Sequence, residues 1–212
     1  MRVAVVAGSD LTAELNAAAL ASADLLVAVD GGADALARVD LEPSILVGDL
    51  DSISAHTRAA LEARGVEVVL LPAAKDETDT EAALRLVVER GGDDITVYGA
   101  LGGPRLDHLV GNLLLLSSPW LAAVRVRMVN DLHEAFLAKG DRTFEGERGD
   151  TVSLLPLTPS VEDVWTEGLL YPLTHEPLRQ SATRGVSNVM SDPVARVTHG
   201  EGVLLLIHYR GR

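Results

Sequence analysis

Ile45-Leu46-Val47-Gly48-Asp49-Leu50-Asp51-Ser52-Ile53 is an apolar run that stops on glycine and turns acidic. The run reads as a β-strand and G-D-L-D-S as the loop that leaves it. Asp49 and Asp51 stand two residues apart in that loop. Burial and mutual repulsion both disfavour their charged forms, so a buried pair needs cations or donors beside it. Taken alone, the stretch allows two readings: a divalent metal with a phosphate behind it, or a solvated acidic turn.

Outward from this stretch, short β-like runs alternate with Ala/Leu-rich helical ones. Val3–Ala7, Leu25–Val29, Val66–Leu71, Ile95–Tyr98 and Val124–Val129 are the other predicted strands. Helices are predicted over Leu11–Ala23 (with Ser9 or Asp10 as N-cap), Ala33–Arg38, Ser54–Arg64, Thr78–Arg90 and Arg105–Leu116. Continuous apolar strands separated by helices predict a mostly parallel sheet with helices on both faces. Ligands of such sheets collect at the carboxyl ends of the strands. Four polar, glycine-rich clusters fall there: Asp30-Gly31-Gly32, Gly48–Asp51, Lys75–Asp79 and Gly99–His108.

The texture changes after about Asn130. Phe136–Ala138, Thr151–Leu155, Val161–Thr166, Val194–Thr198 and Val203–His208 are short β-like runs divided by Gly, Pro, Asp and Ser. They predict a C-terminal all-β, sandwich-like domain. The expected division is an α/β nucleotide-binding, catalytic domain over 1–130 and an all-β domain over 131–212, the latter expected to bind the second substrate and to carry dimerisation. Glu145–Asp150, E-G-E-R-G-D, reads as a solvated turn.

Composition narrows the function. With 212 residues and 47% apolar content the chain can build a large core, but at 3% aromatic that core is Leu, Val and Ala. A net charge of −13 argues against a phosphate-tracking nucleic-acid binder. No window approaches the roughly 18 apolar residues of a membrane span, and Met1–Gly8 reads as a strand rather than a signal peptide. The absence of cysteine fits a cytoplasmic protein. A polyphosphate ligand would need its charge met locally, by a metal or a few placed cations. Lysine occurs twice, at 75 and 139, and Lys75 sits among the acidic residues.

Each cluster has a chemical and a plain reading. Asp30-Gly31-Gly32 is either an anion-binding strand–helix turn or a tight turn capped by Asp. In Lys75-Asp76-Glu77-Thr78-Asp79-Thr80-Glu81, Thr78 and Glu81 have capping-box spacing, and the acidic residues suit a helix N-terminus. That explains the charges but not the lysine, whereas a metal held by carboxylates with a cation near the phosphates explains both. In Gly99–His108, Arg105 has the chemistry to hold a phosphate, Asp107 and His108 to orient it, and Asn112 lies one turn on from His108. Trp120 and Trp165 read as core or interface residues, and the other histidines show no metal-ligand spacing.

Together the motifs resemble the thiamine pyrophosphokinase (thiamine diphosphokinase) family. D-G-G-A at Asp30–Ala33, G-D-L-D-S-I at Gly48–Ile53, K-D-E-T-D-T-E at Lys75–Glu81, Gly99–His108, G-L-L-Y-P-L at Gly168–Leu173 and G-V-S-N at Gly185–Asn188 stand in the family's order. The resemblance implies transfer of a pyrophosphoryl group from ATP to the hydroxyl of thiamine, giving thiamine diphosphate and AMP. It implies a homodimer with the thiamine site shared between subunits. It implies Mg²⁺ held by Asp49, Asp51 and Asp79, and ATP lined by Asp30, Gly31, Gly32, Lys75, Arg105, Asp107, His108 and Asn112. Tyr171, Ser187 and Asn188 fall on the thiamine side, and Asp51 and Asp76 are the candidates for taking the hydroxyl proton. Leu50 stands where the family has Phe, Pro104 is an extra residue before Arg105, and Val189 replaces a common acidic residue. Two other functions fit the residues without the resemblance: a phosphohydrolase with Asp49 as nucleophile, and a silent nucleotide-binding module. The hydrolase loop usually follows a first strand, and here it follows the third.

Overall fold

The structure, a computed structural model, describes residues 1–8 and 17–211. They form two compact units, Met1–Asp131 and Leu132–Arg212. No helix among the described residues is long and apolar enough to cross a membrane.

In the first unit six strands pair in parallel: β1 (Arg2–Val6), β2 (Leu25–Val29), β3 (Ile45–Gly48), β4 (Glu67–Leu70), β5 (Asp94–Tyr98) and β6 (Arg125–Val129). Their order is β6-β5-β1-β2-β3-β4. Alternation sends Ala4, Val6, Leu26, Ala28 and Leu46 to one face. There they pack with residues of helices α1 (Ala17–Ala21), α2 (Gly32–Ala37) and α3 (Ala55–Arg64). The alternate residues Val5, Val27, Val29 and Val47 are buried too. Helix α4 (Asp79–Glu89) packs on β1, β2 and β3 and buries Ala82, Ala83, Leu84 and Val87. The predicted parallel sheet, covered on both faces, is therefore present. Its edge strand β4 is the exception, with Val68 and Leu70 exposed.

Local chemistry sets the helix ends. Ser54 caps α3 by accepting from the Thr57 amide at 3.2 Å, and Gly65, at φ +76°, closes it in the left-handed region. Thr78 caps α4 by accepting from the Glu81 amide at 3.2 Å, as the capping-box spacing predicts. Helix α5 (Leu106–Leu115) buries none of its residues. Ser9, Asp10 and the first half of the predicted Leu11–Ala23 helix lie outside the described residues.

The second unit is a two-sheet sandwich. One sheet has the order β12-β9-β14-β7, formed by β7 (His133–Ala138), β9 (Thr151–Pro156), β12 (Asn188–Val189) and β14 (Leu204–Tyr209). The other has the order β11-β10-β13-β8, formed by β8 (Asp141–Glu145), β10 (Ser160–Glu167), β11 (Thr174–Arg179) and β13 (Val194–Thr198). All pairs are antiparallel, and Phe136, Leu154, Leu206, Val161, Val164 and Val197 join in one core. Strands β8 and β11 escape a reading by apolar runs because each lies at a sheet edge and sends one residue, Phe144 or Leu178, fully inward. Pro177 within β11 is tolerated at that edge.

The E-G-E-R-G-D turn departs from expectation. Asp150 is not solvated but buried, and its carboxylate meets buried His208 at 2.9 Å. A Cβ on Gly146 would lie 2.5 Å from Met190 Sδ and 2.7 Å from His208 Cε1, so only glycine lets this turn close over the ring.

Candidate active site

Strands β2 and β3 are neighbours, so the residues that leave their carboxyl ends meet. Asp30 leaves β2 and accepts the Leu50 amide at Oδ1, 2.9 Å away. That bond crosses twenty positions of sequence and joins the two loops. Leu50 adopts φ +64°, uncommon for a side chain with a Cβ, and is buried between two aspartates that are not. The kink turns the Leu50 side chain inward and leaves Asp49 and Asp51 beside Asp30. Ligand oxygens of Asp30, Asp49 and Asp51 all lie within 4.8 Å of one another.

The fit is close enough to require glycine. A Cβ on Gly48, whose φ is +150°, would sit 1.9 Å from Asp30 Oδ1, and one on Gly32 would sit 2.0 Å from the Val6 carbonyl oxygen. Two residues not singled out from sequence hold the frame. Ser52 Oγ accepts the Gly31 amide at 3.2 Å. Asp34 accepts the Ser54 amide and hydroxyl at 2.8 and 2.6 Å, tying α2 to the cap of α3. Partial burial raises the Asp34 pKa, but the donors of Ser54 and Thr57 outweigh it and hold the carboxyl below its ordinary value. The signal for this pair is the serine that follows G-D-L-D-S-I, which reads only as a helix cap.

Electrostatics mark the same place. Asp30 is pushed up from 3.8 to about 6, first by burial, then by the charges of Asp79, Asp49 and Asp51, against the opposing Leu50 hydrogen bond. A carboxylate so placed is stabilised by any cation that arrives. Lys75 is nearby: its ammonium pairs with Asp79 at 3.0 Å and donates to the Pro72 carbonyl at 3.1 Å. Asp79, followed by Asp49 and Asp30, holds the Lys75 pKa above its usual value. Asp76 is exposed.

The structure thus draws Asp30, grouped with the nucleotide from sequence, into the carboxylate set. It places Asp79 against Lys75, near enough to act on Asp30 but outside the three-oxygen group. The donor set is all carboxylate oxygen, which suits a hard divalent cation such as Mg²⁺.

The last cluster of the first unit is more open. Arg105 and Asp107 form a two-pronged pair, Nε–Oδ1 2.9 Å and Nη2–Oδ2 2.5 Å, with both side chains exposed. The guanidinium holds the Asp107 carboxyl well below the usual carboxylate range. Asn112 donates to the Ala100 carbonyl at 3.1 Å and Asn130 to that of Leu101 at 2.8 Å, so both brace the Gly99–Gly103 loop. His108 is exposed on the first turn of α5.

In the second unit the Asn188 amide is used within the protein. Its oxygen accepts the Tyr171 amide at 3.0 Å and the Val189 amide at 2.9 Å, and its nitrogen donates to the Tyr171 carbonyl at 2.7 Å. The Tyr171 side chain stays exposed. Ser187, at φ +59°, is exposed one residue before Asn188.

Comparison with known proteins identifies the family. Residues 17–128 match the family model for the thiamin pyrophosphokinase catalytic domain, and residues 142–204 that for its vitamin B1 binding domain. The chain belongs to the thiamin pyrophosphokinase family. It is accordingly an enzyme, a thiamine diphosphokinase. A Bacillus subtilis thiamine pyrophosphokinase is 26% identical over 185 residues, 86% of the length of each chain. The thiamin pyrophosphokinase structure from Geobacillus thermodenitrificans superposes with a TM-score of 0.85 at 28% identity, over 100% of this chain and 98% of that one. The Bacillus subtilis thiamine pyrophosphokinase structure gives a TM-score of 0.90 at 24% identity over all of both chains, a likeness of fold.

Proposed function

We propose that the protein transfers the pyrophosphoryl group of ATP to the hydroxyl of thiamine with Mg²⁺, as a homodimer in which the thiamine site is shared between subunits. The convergence of Asp30, Asp49 and Asp51 at the ends of β2 and β3, with Lys75 beside them, carries this reading. It sets a cation site and a fixed positive charge where a parallel sheet receives phosphates.

Asp49 and Asp51, with Asp30 or Asp79 as third carboxylate, would hold the metal, which when bound would supply positive charge to the triphosphate. In the reaction the thiamine hydroxyl oxygen bonds to the β-phosphorus, the bond to the bridging oxygen on the α-phosphate breaks, and AMP leaves. Charge grows on oxygens around the β-phosphorus, so the protein's task is positioning and charge stabilisation. Lys75 and Arg105 are held in place by Asp79 and Asp107 before substrate arrives, which limits the ordering left to do on binding. Asp51 and Asp76, both exposed, are the acceptors offered for the hydroxyl proton. Tyr171 and Ser187 face the thiamine, and the acidic surroundings suit its cationic ring.

Incubation with ATP, Mg²⁺ and thiamine tests the reading. AMP and thiamine diphosphate are expected in equal amounts, with no product in EDTA. Release of inorganic phosphate without thiamine diphosphate would instead favour the phosphohydrolase.

For the homodimer, α5 of the first unit offers a contact face besides the all-β unit to which the sequence reading gave dimerisation. Leu106, Val110 and Leu114 recur at i, i+4 and i+8 and are 72%, 45% and 51% exposed, a continuous apolar stripe on a helix none of whose residues is fully buried. A second copy laid against this stripe removes it from water. Val110→Glu is expected to turn a sedimenting dimer into a monomer at micromolar concentration. A wild-type protein that sediments as a monomer would overturn this part.

A further inference from the structure

The buried pair of Asp150 and His208 lies outside every motif that carries the chemistry. His208 is 0% and Asp150 3% exposed. Asp150 Oδ2 accepts from the Glu147 amide and faces His208 Nε2, both at 2.9 Å, while His208 Nδ1 has no partner. The proton therefore belongs on Nε2, because an N–H left unmatched in the core costs more than a bare ring nitrogen. Apolar residues of similar volume would fill such a place at little cost in stability, so what the pair adds is direction.

That direction leads to the candidate thiamine side. The Asp150 backbone carbonyl accepts the Met190 amide at 2.8 Å, and the Gly149 amide donates to the Met190 carbonyl at 2.9 Å. Met190 in turn bridges Leu169. The Leu170 amide donates to the Val189 carbonyl at 2.8 Å and the Ser191 amide to that of Gly168 at 2.9 Å. Asn188 then clasps Tyr171 by amide and carbonyl together. His208, Val152 and Asn188 also stand in one row across β14, β9 and β12. Hydrogen bonds joined by short stretches of backbone lead from the buried ring to the exposed Tyr171.

We propose that Asp150 and His208 are positioning residues for thiamine, fixing the Gly168–Tyr171 and Ser187–Met190 segments from beneath through Met190. The proposal rests on the reading of Tyr171 and Ser187 as the thiamine side. Its prediction is a split effect. His208→Leu raises KM for thiamine about tenfold, the worth of one lost buried hydrogen bond, and leaves KM for ATP unchanged. His208→Gln, whose amide donates to the same carboxylate, restores most of the loss.

Amide hydrogen exchange of the full chain gives a second readout that needs no turnover. In His208→Leu the Leu170, Tyr171 and Met190 amides lose about tenfold in protection. Val164→Ala, a cavity in the same core on β10, whose strand partners are β11 and β13, leaves those three amides and the thiamine KM as in wild type. Unchanged protection in His208→Leu overturns the proposal, as does an equal loss in Val164→Ala or a rise in both KM values together. Should the wild-type protein fail to convert thiamine, the functional reading falls. The exchange data still decide whether the pair holds these segments.

Discussion

Asp49→Asn or Asp51→Asn is expected to lower the rate of AMP formation by about 10²–10³-fold, the scale on which removing one preorganised charge-stabilising group acts. The fold is expected to survive. Both side chains lie at the surface end of the site, and the Leu50 amide that joins the two loops bonds to Asp30, not to either of them. Each substitution also removes a negative charge from a group whose oxygens lie within 4.8 Å of one another. The melting temperature measured without metal should thus stay level or rise while activity falls. Near wild-type turnover in either variant would sink the metal assignment, and a collapsed melting temperature would make the pair structural instead.

The second large effect concerns pH and Asp30. Its pKa is raised in the folded protein from 3.8 to about 6, by burial first and by Asp79, Asp49 and Asp51 next. Between these values the folded chain keeps a proton that the unfolded chain has released. Stability of the metal-free protein therefore falls as pH rises from about 4 to about 6, and above 6 the full cost is present, about 3 kcal/mol by linkage. Asp30→Asn removes the titration. The difference in unfolding free energy between variant and wild type, followed by urea denaturation from pH 4 to 7.5, should grow in the variant's favour through that window and level off above it. A difference that stays flat would mean that neither the burial of Asp30 nor the charges around it raise its pKa in the folded protein. Adding Mg²⁺ at pH 7.5 should stabilise wild type more than the variant, since the cation meets the same charge.

Family membership weighs against the phosphohydrolase and against the silent module. The assay with ATP and thiamine separates these outcomes directly.

The sequence by itself determined whatever depends on near neighbours. The apolar runs that became β1, β2, β3 and β5 and the capping box that opens α4 at Thr78 are legible because their partners lie within a few residues. The order of the motifs was legible too, and with it the family. Tertiary structure alone decided which carboxylates meet. Asp30 reaches Leu50 across twenty positions, and no spacing rule puts it with Asp49 and Asp51 ahead of Asp79. It alone decided that Asn188 turns inward to Tyr171, and that E-G-E-R-G-D buries Asp150 against a histidine fifty-eight positions away. A charged turn looks solvated until the strand that carries its partner is laid beside it. The energy of a buried charge depends on who faces it, and that is a property of the fold.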